Sequence, residues 1–361
     1  MRPLTDISAG ALTLLCDCVG GRAGQRLLIV VEPPGSNFYD TEAPRQTADA
    51  ARALGMDVKV QEIAVGIDSE KSYSRLLQQL QGFDHVVFFS RIGDQIRFAD
   101  NAAMPSSTMC YTLDTTALNS AFGTACYRGL CEIKEAIDSA FARASYIRVT
   151  CPRGTDYSGT PDWQNSPLRE VSVKRFPMLV PKPIPAMGFS GTVALCRFLV
   201  GTGSRFYEPY YLPLEADVQA NVHNNSITSF EGCTDQVQRV KQHYLQVAEH
   251  FSISPWHIHS WHAGIHPGCD FNHNALADLL RWSGSAFGNP RLMHFHTCGE
   301  YAPGEISWNI VDPTIYIDDV AIWEYGYLYP DRLPACADIL AQHPNLAALY
   351  AHPHTDIGLA N

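Results

Sequence analysis

The chain has 361 residues, 46% of them hydrophobic, with a mean hydropathy of -0.11 and a formal charge of -11. That length is enough to bury a sizeable core and predicts two domains, while the excess of acid excludes the basic face that nucleic-acid phosphates require. No apolar run approaches the roughly 18 residues that cross a bilayer, and the first residues lack the basic-then-apolar layout of a secretory signal; a cytoplasmic protein without membrane or nucleic-acid partners is expected.

The first 150 or so residues alternate helix and strand patterns. A helix is predicted from Thr5, a natural cap, to Cys18, ended by Gly20-Gly21, and RLLIVVE follows as a short apolar run of the kind buried in a parallel sheet. TEAPRQTADAARAL reads as an amphipathic helix closed by Gly55. Strands are predicted at residues 57–63, 85–90, 108–113 and 146–150, with helices at 69–80 and 128–144, so the fold class is α/β with a wound N-terminal domain over residues 1–155. The first strand runs into EPPGSNFYD, which has neither GxGxxG nor a Walker loop, so nucleotide binding is disfavoured; the turn is read as structural, with the alternative that it presents Glu32, Asn37 and Tyr39 at the carboxyl edge of the sheet, where ligands of open α/β folds sit. Eleven cysteines from Cys16 to Cys336 include no CxxC pair; they are expected to be reduced, with Cys16 and Cys18 in the core.

Residues 156–190, rich in Pro, Gly, Ser and Asp, read as a linker between domains, preceded by a turn signal at Gly154, Thr155 and Asp156. A C-terminal α+β domain is predicted over 191–326. GTVALCRFLV, ADVQANVHNN and SITSFEG read as strands with an Asn224-Asn225 turn, and Val237, Val240, Tyr244, Val247 and Phe251 form the stripe of a helix. Thirteen of the fourteen histidines lie beyond residue 220, which places any imidazole site in this half. WHIHSWHAGIHPG is one strand. HFHTCGEYAPGEISWNIVDPTIYIDD then reads as three more, pairing His294 with His296 on one strand face and Ser307 with Asn309 on another. Residues 327–361 form a C-terminal extension with a helix predicted from Ala335 to His343, covering a sheet edge or a partner subunit, with a lid over the cleft as the alternative.

This order of elements resembles the M29 aminopeptidases and the 2,5-dihydroxypyridine dioxygenases built on the same scaffold, over nearly the whole chain. In that family a His-x-Asp motif binds the metal on the strand before a turn and an Asp-Asp ending. With Trp308 and IYIDD in register, Ser307 stands in the His column and Asn309 in the Asp column. A further ligand, Glu in the peptidases and His in the dioxygenases, precedes a Gly-x-x-Pro ending. Gly264 and Pro267 set Ser260 in that column, or His259 if one residue is inserted. Neutral hydroxyls and amides are poor ligands for zinc or iron(II).

The resemblance therefore implies a metal-free peptide-binding protein without a cofactor, similar to those that assist tailoring enzymes in ribosomal-peptide pathways of the crocagin type. A precursor peptide and its modifying enzyme would be its partners, and a homodimer its assembly. Strand edges would supply backbone hydrogen bonds, and Trp256, Trp261 and Trp308 pockets. His257, His259, Ser260, Trp261, His262, His294, His296, Glu305, Ser307, Trp308 and Asn309 form the expected binding surface. The alternative is a zinc or iron(II) enzyme, an aminopeptidase or a ring-cleaving dioxygenase, with relocated ligands among His257, His259, His262, His294, His296 and Glu305.

Overall fold

A computed structural model describes residues 7–66, 70–97, 104–165, 171–201 and 205–359, so the predicted helix start at Thr5 lies outside the described residues. The protein is mixed α/β, with one parallel and two antiparallel sheets. It divides into two compact units, and the division is not the one the composition suggested. The first unit takes Met1–Leu130 and Arg169–Met178; the second takes Cys131–Leu168 and Leu179–Asn361.

The first unit is built on a parallel sheet in the order β2 (Asp57–Glu62), β1 (Arg26–Val31), β3 (His85–Phe89), β4 (Ser106–Cys110) and β7 (Lys174–Phe176). The apolar run Arg26–Val31 is buried on both faces, as a central parallel strand requires. Leu28, Val30, Val86 and Phe88 pack on one side with Leu76 and Leu80 of the helix Glu70–Leu80. The turn after β1 holds Glu32, whose buried carboxylate forms a two-pronged pair with Arg91 at 2.9 Å. The N-terminal helix runs Ala9–Leu12 and continues as a wider π-turn over Thr13–Val19, ended by Gly20 at φ +73°. Cys18 is buried there, but Cys16 is exposed, one of eleven free thiols.

The second unit contains both antiparallel sheets. One has eight strands in the order β13 (Ser226–Gly232), β12 (Val218–His223), β9 (Phe189–Leu195), β6 (Asp156–Gly159), β5 (Ile147–Thr150), β17 (Thr314–Ile317), β18 (Val320–Glu324) and β19 (Tyr327–Leu328). The other has six, β11 (Tyr211–Pro213), β10 (Phe198–Val200), β16 (Glu305–Val311), β15 (Leu292–Cys298), β14 (Ile258–Ala263) and β8 (Ile184–Pro185). Strand 147–150, expected at the end of the first domain, thus belongs to the second unit, because its partners are β6 and β17. The Asn224-Asn225 turn takes φ of +44° and +62°, the mirror-image turn that joins β12 to β13. Arg197 at φ +66° breaks the predicted strand 191–200 into β9 and β10.

The two sheets face each other through an aromatic core. Trp261 and Phe295 of the six-stranded sheet meet Phe189 and Tyr157 of the eight-stranded one, and Phe141 of the helix Tyr127–Arg143 closes on Trp261 and Trp323. The helix Thr234–Phe251 lays Tyr244 against this core, where Trp308 Nε1 donates to its hydroxyl at 2.5 Å. The C-terminal residues are built into the same unit: Ile357 packs in a cluster with Trp282 and Phe271, its carbonyl accepts from Trp282 Nε1 at 2.7 Å, and Tyr350 donates to the Ile265 carbonyl at 2.8 Å. Among the described residues no helix is long and apolar enough to cross a membrane.

Candidate functional site

The region His294–Asp319 was expected to fold three strands on one another. Only two pair. β15 and β16 form a ladder with His294 opposite Asn309 and His296 opposite Ser307, while Asp312 at φ +53° turns the chain out and β17 joins the other sheet. β14 adds on the far side of β15, with Ser260 opposite His296 and His262 opposite His294. Since side chains alternate along a strand, Ser260, His262, His294, His296, Ser307 and Asn309 share one face. Trp261, Phe295 and Trp308 occupy the opposite face, in the aromatic core, so Trp261 and Trp308 do not line a binding surface as expected. Trp256 is likewise used internally, stacked on Tyr244 at 5.6 Å.

The polar face is buried. Ser260 and Ser307 are fully covered, and His262, His294 and His296 keep only 4%, 4% and 6% of their surface. Among the described residues, Ser260 Oγ, Ser307 Oγ and Asn309 Oδ1 have no hydrogen-bond partner, although Asn309 Nδ2 donates to the Phe198 carbonyl at 3.2 Å. That donation fixes the orientation of the amide, leaving its oxygen as an acceptor.

Three histidines converge. His262, His294 and His296 each offer a ring nitrogen, all within 4.8 Å of one another. His296 Nε2 lies 3.1 Å from His262 Nε2, and His262 Nδ1 lies 3.2 Å from the Pro181 carbonyl. His296 Nδ1 is 2.8 Å from Glu305 Oε1, a close contact without hydrogen-bond geometry. Glu305 opens β16 opposite Cys298, with its side chain fully buried and its carbonyl held by the Tyr207 hydroxyl at 2.8 Å. Phe287 stacks on the His294 ring at 4.1 Å.

The other candidates fall outside this group. A register shift between Ile258 and Ser260 turns His259 aside, and its Nε2 contacts the Cys298 carbonyl at 2.8 Å. Burial holds His259 below the ordinary histidine range, against the opposing pull of that carbonyl. His257 stands beside it, 3.1 Å from Asn225 Nδ2. Glu305 meets a ring nitrogen of His296 and is not in the converging set. His266 accepts from Gly268 N at 3.1 Å within its own turn. The supports of the cluster, Pro181 and Phe198, were not foreseen, because each acts through a backbone carbonyl that any residue type would supply.

No protein-family model and no curated protein matches the chain. Among solved structures, the 2,5-dihydroxypyridine dioxygenase of Pseudomonas putida matches with a TM-score of 0.58 at 12% identity, covering 89% of this chain and 96% of that one. The two share a fold. At that identity the likeness carries no chemistry across, and the residues must be read for themselves. Ser260, Ser307 and Asn309 present uncharged hydroxyl and amide groups, which do not suit a transition ion.

Proposed function

We propose that the protein is a binding protein on a dioxygenase-type scaffold, taking a ligand of peptide type into the buried polar face of the six-stranded sheet. The observation that carries this is the trio Ser260 Oγ, Ser307 Oγ and Asn309 Oδ1, buried on one face and unpartnered among the described residues. Buried polar atoms without partners cost about 1–3 kcal/mol each, so a ligand that satisfies them is favoured. Asn309 Oδ1 only accepts, which selects a ligand with N–H or O–H donors; a peptide end brings N–H and C=O groups together.

The mode of contact differs from the strand addition expected. β14, β15 and β16 each have neighbours on both sides, so none offers an open edge at the site. With so little of the face exposed, a chain terminus or a side chain enters, and an extended backbone does not lie along it. A cytoplasmic homodimer that presents a precursor peptide to a modifying enzyme is part of this proposal, supported by the resemblance to the crocagin-type proteins. Calorimetric titration with short peptides and with pyridine diols tests it. Heat from peptides alone is expected; turnover of a pyridine diol, or no heat from any peptide, overturns it.

One observation favours the second reading, a metalloenzyme with relocated ligands: the convergence of three imidazoles beside the exchanged columns.

A further inference from the structure

We infer that His262, His294 and His296 hold a divalent first-row transition ion, in a position displaced from the scaffold's own ligand columns to the neighbouring histidines of the same sheet face. This rests on the reading that the polar face is the functional site, and it adds an ion to it. Ser260 lies two residues before His262 on β14, and Asn309 and Ser307 stand directly across from His294 and His296. The donor set has therefore moved without leaving the face.

The assignment follows from where the ring protons must be. The Pro181 carbonyl only accepts, so the nitrogen facing it, His262 Nδ1, carries the proton and leaves a lone pair on Nε2. With Glu305 ionised, a lone pair on His296 Nδ1 would repel the carboxylate oxygen 2.8 Å away, so that nitrogen carries its proton as well. In their neutral forms both rings then present lone pairs from Nε2, and these two atoms are 3.1 Å apart. Such a pair is stable only with positive charge shared between the nitrogens. A bound ion does this and also uses the third ring, which an extra proton on His296 does not require. Tetrahedral ligands at about 2.0–2.1 Å from zinc lie roughly 3.3 Å from one another, close to the 3.1 Å between His262 Nε2 and His296 Nε2, and the third ring nitrogen lies within 4.8 Å.

The supports match those of metal-bound imidazoles. Such rings usually give their second N–H to a carboxylate or a backbone carbonyl; here the Pro181 carbonyl takes that place for His262, and the Glu305 carboxyl lies 2.8 Å from His296 Nδ1. Glu305 also places a buried carboxyl group beside the ion. Three neutral nitrogen donors suit zinc, iron(II) or their neighbours in the first row, and not calcium or magnesium, which select oxygen.

Zinc uptake by the full chain, prepared free of chelator and followed by equilibrium dialysis with elemental analysis, tests the assignment. One zinc per chain is expected. His294→Ala and His296→Ala should each weaken it at least 100-fold, and Glu305→Gln 10- to 100-fold, with circular dichroism confirming that each variant is folded. His259→Ala should bind zinc within threefold of the unaltered chain. Cobalt(II) gives a second readout, with a visible absorption band of four-coordinate intensity that His296→Ala abolishes. Substoichiometric zinc, or uptake that survives both histidine substitutions in folded protein, overturns the inference. Peptide titration of the zinc-free chain separates the two claims: heat there, without zinc uptake, leaves the binding reading standing and sinks the ion.

Discussion

Replacing a binding-site serine by alanine should make this protein more stable. Ser260 and Ser307 flank His296 on either side, each fully buried with a hydroxyl that has no partner among the described residues. Alanine removes that oxygen and little else, so the variant escapes the desolvation of an unmade hydrogen bond and leaves only a small gap. The expected gain is about 1–2 kcal/mol for each of Ser260→Ala and Ser307→Ala. Urea unfolding followed by tryptophan fluorescence measures it in the right place, because all six tryptophans belong to the second unit. The same substitutions should lower the heat of peptide binding, which separates a site held ready for a ligand from a packing defect. A loss of about 1 kcal/mol or more in either variant would refute the reasoning, since it would mean that the hydroxyl is already satisfied in the free protein.

A second expectation concerns pH. His243, on the inner side of the helix Thr234–Phe251 beside Tyr207, has its pKa pushed down to about 4 by burial. The folded chain then binds fewer protons than the unfolded one below the ordinary histidine value near 6.5, so stability is lost as pH falls from there toward 4. His243→Leu should remove up to about 3 kcal/mol of that acid sensitivity, read as urea midpoints at pH 7 and pH 4.5; parallel losses in the two proteins would contradict it. Ile357, 1% exposed in the cluster with Trp282 and Phe271, should cost about 2–4 kcal/mol on replacement by alanine. A cost below about 1 kcal/mol would show that the C-terminal segment contributes little to the second unit.

Local chemistry was legible in the sequence wherever a side chain decided the conformation. Asn224-Asn225 announced its turn, the stripe Val240, Tyr244 and Val247 its helix face, and the apolar run of β1 its place inside a parallel sheet. The histidine-rich strands were found, and the spacing that sets His294 and His296 on one side carried through. What failed depended on pairing between distant segments. Nothing near Ile147 says that its neighbours are residues 156–159 and 314–317, so β5 was assigned to the wrong half. Trp261 and Trp308 looked like pocket walls because they adjoin polar residues in sequence, yet alternation sends them to the other side of the sheet. The displacement of His259 depends on a single irregularity in the β14 ladder, which has no residue signature.

The return of β7 (Lys174–Phe176) to the parallel sheet has a consequence for how the protein is made and how it can be divided. During synthesis the first unit lacks its edge strand β7 until the intervening strands β5 and β6 have already emerged, and those two must then wait for β9 and, much further along the chain, β17. No single cut of the backbone yields two complete halves. A break within 131–168 deprives the upstream fragment of β7, and one after 178 leaves that fragment carrying strands whose partners lie downstream.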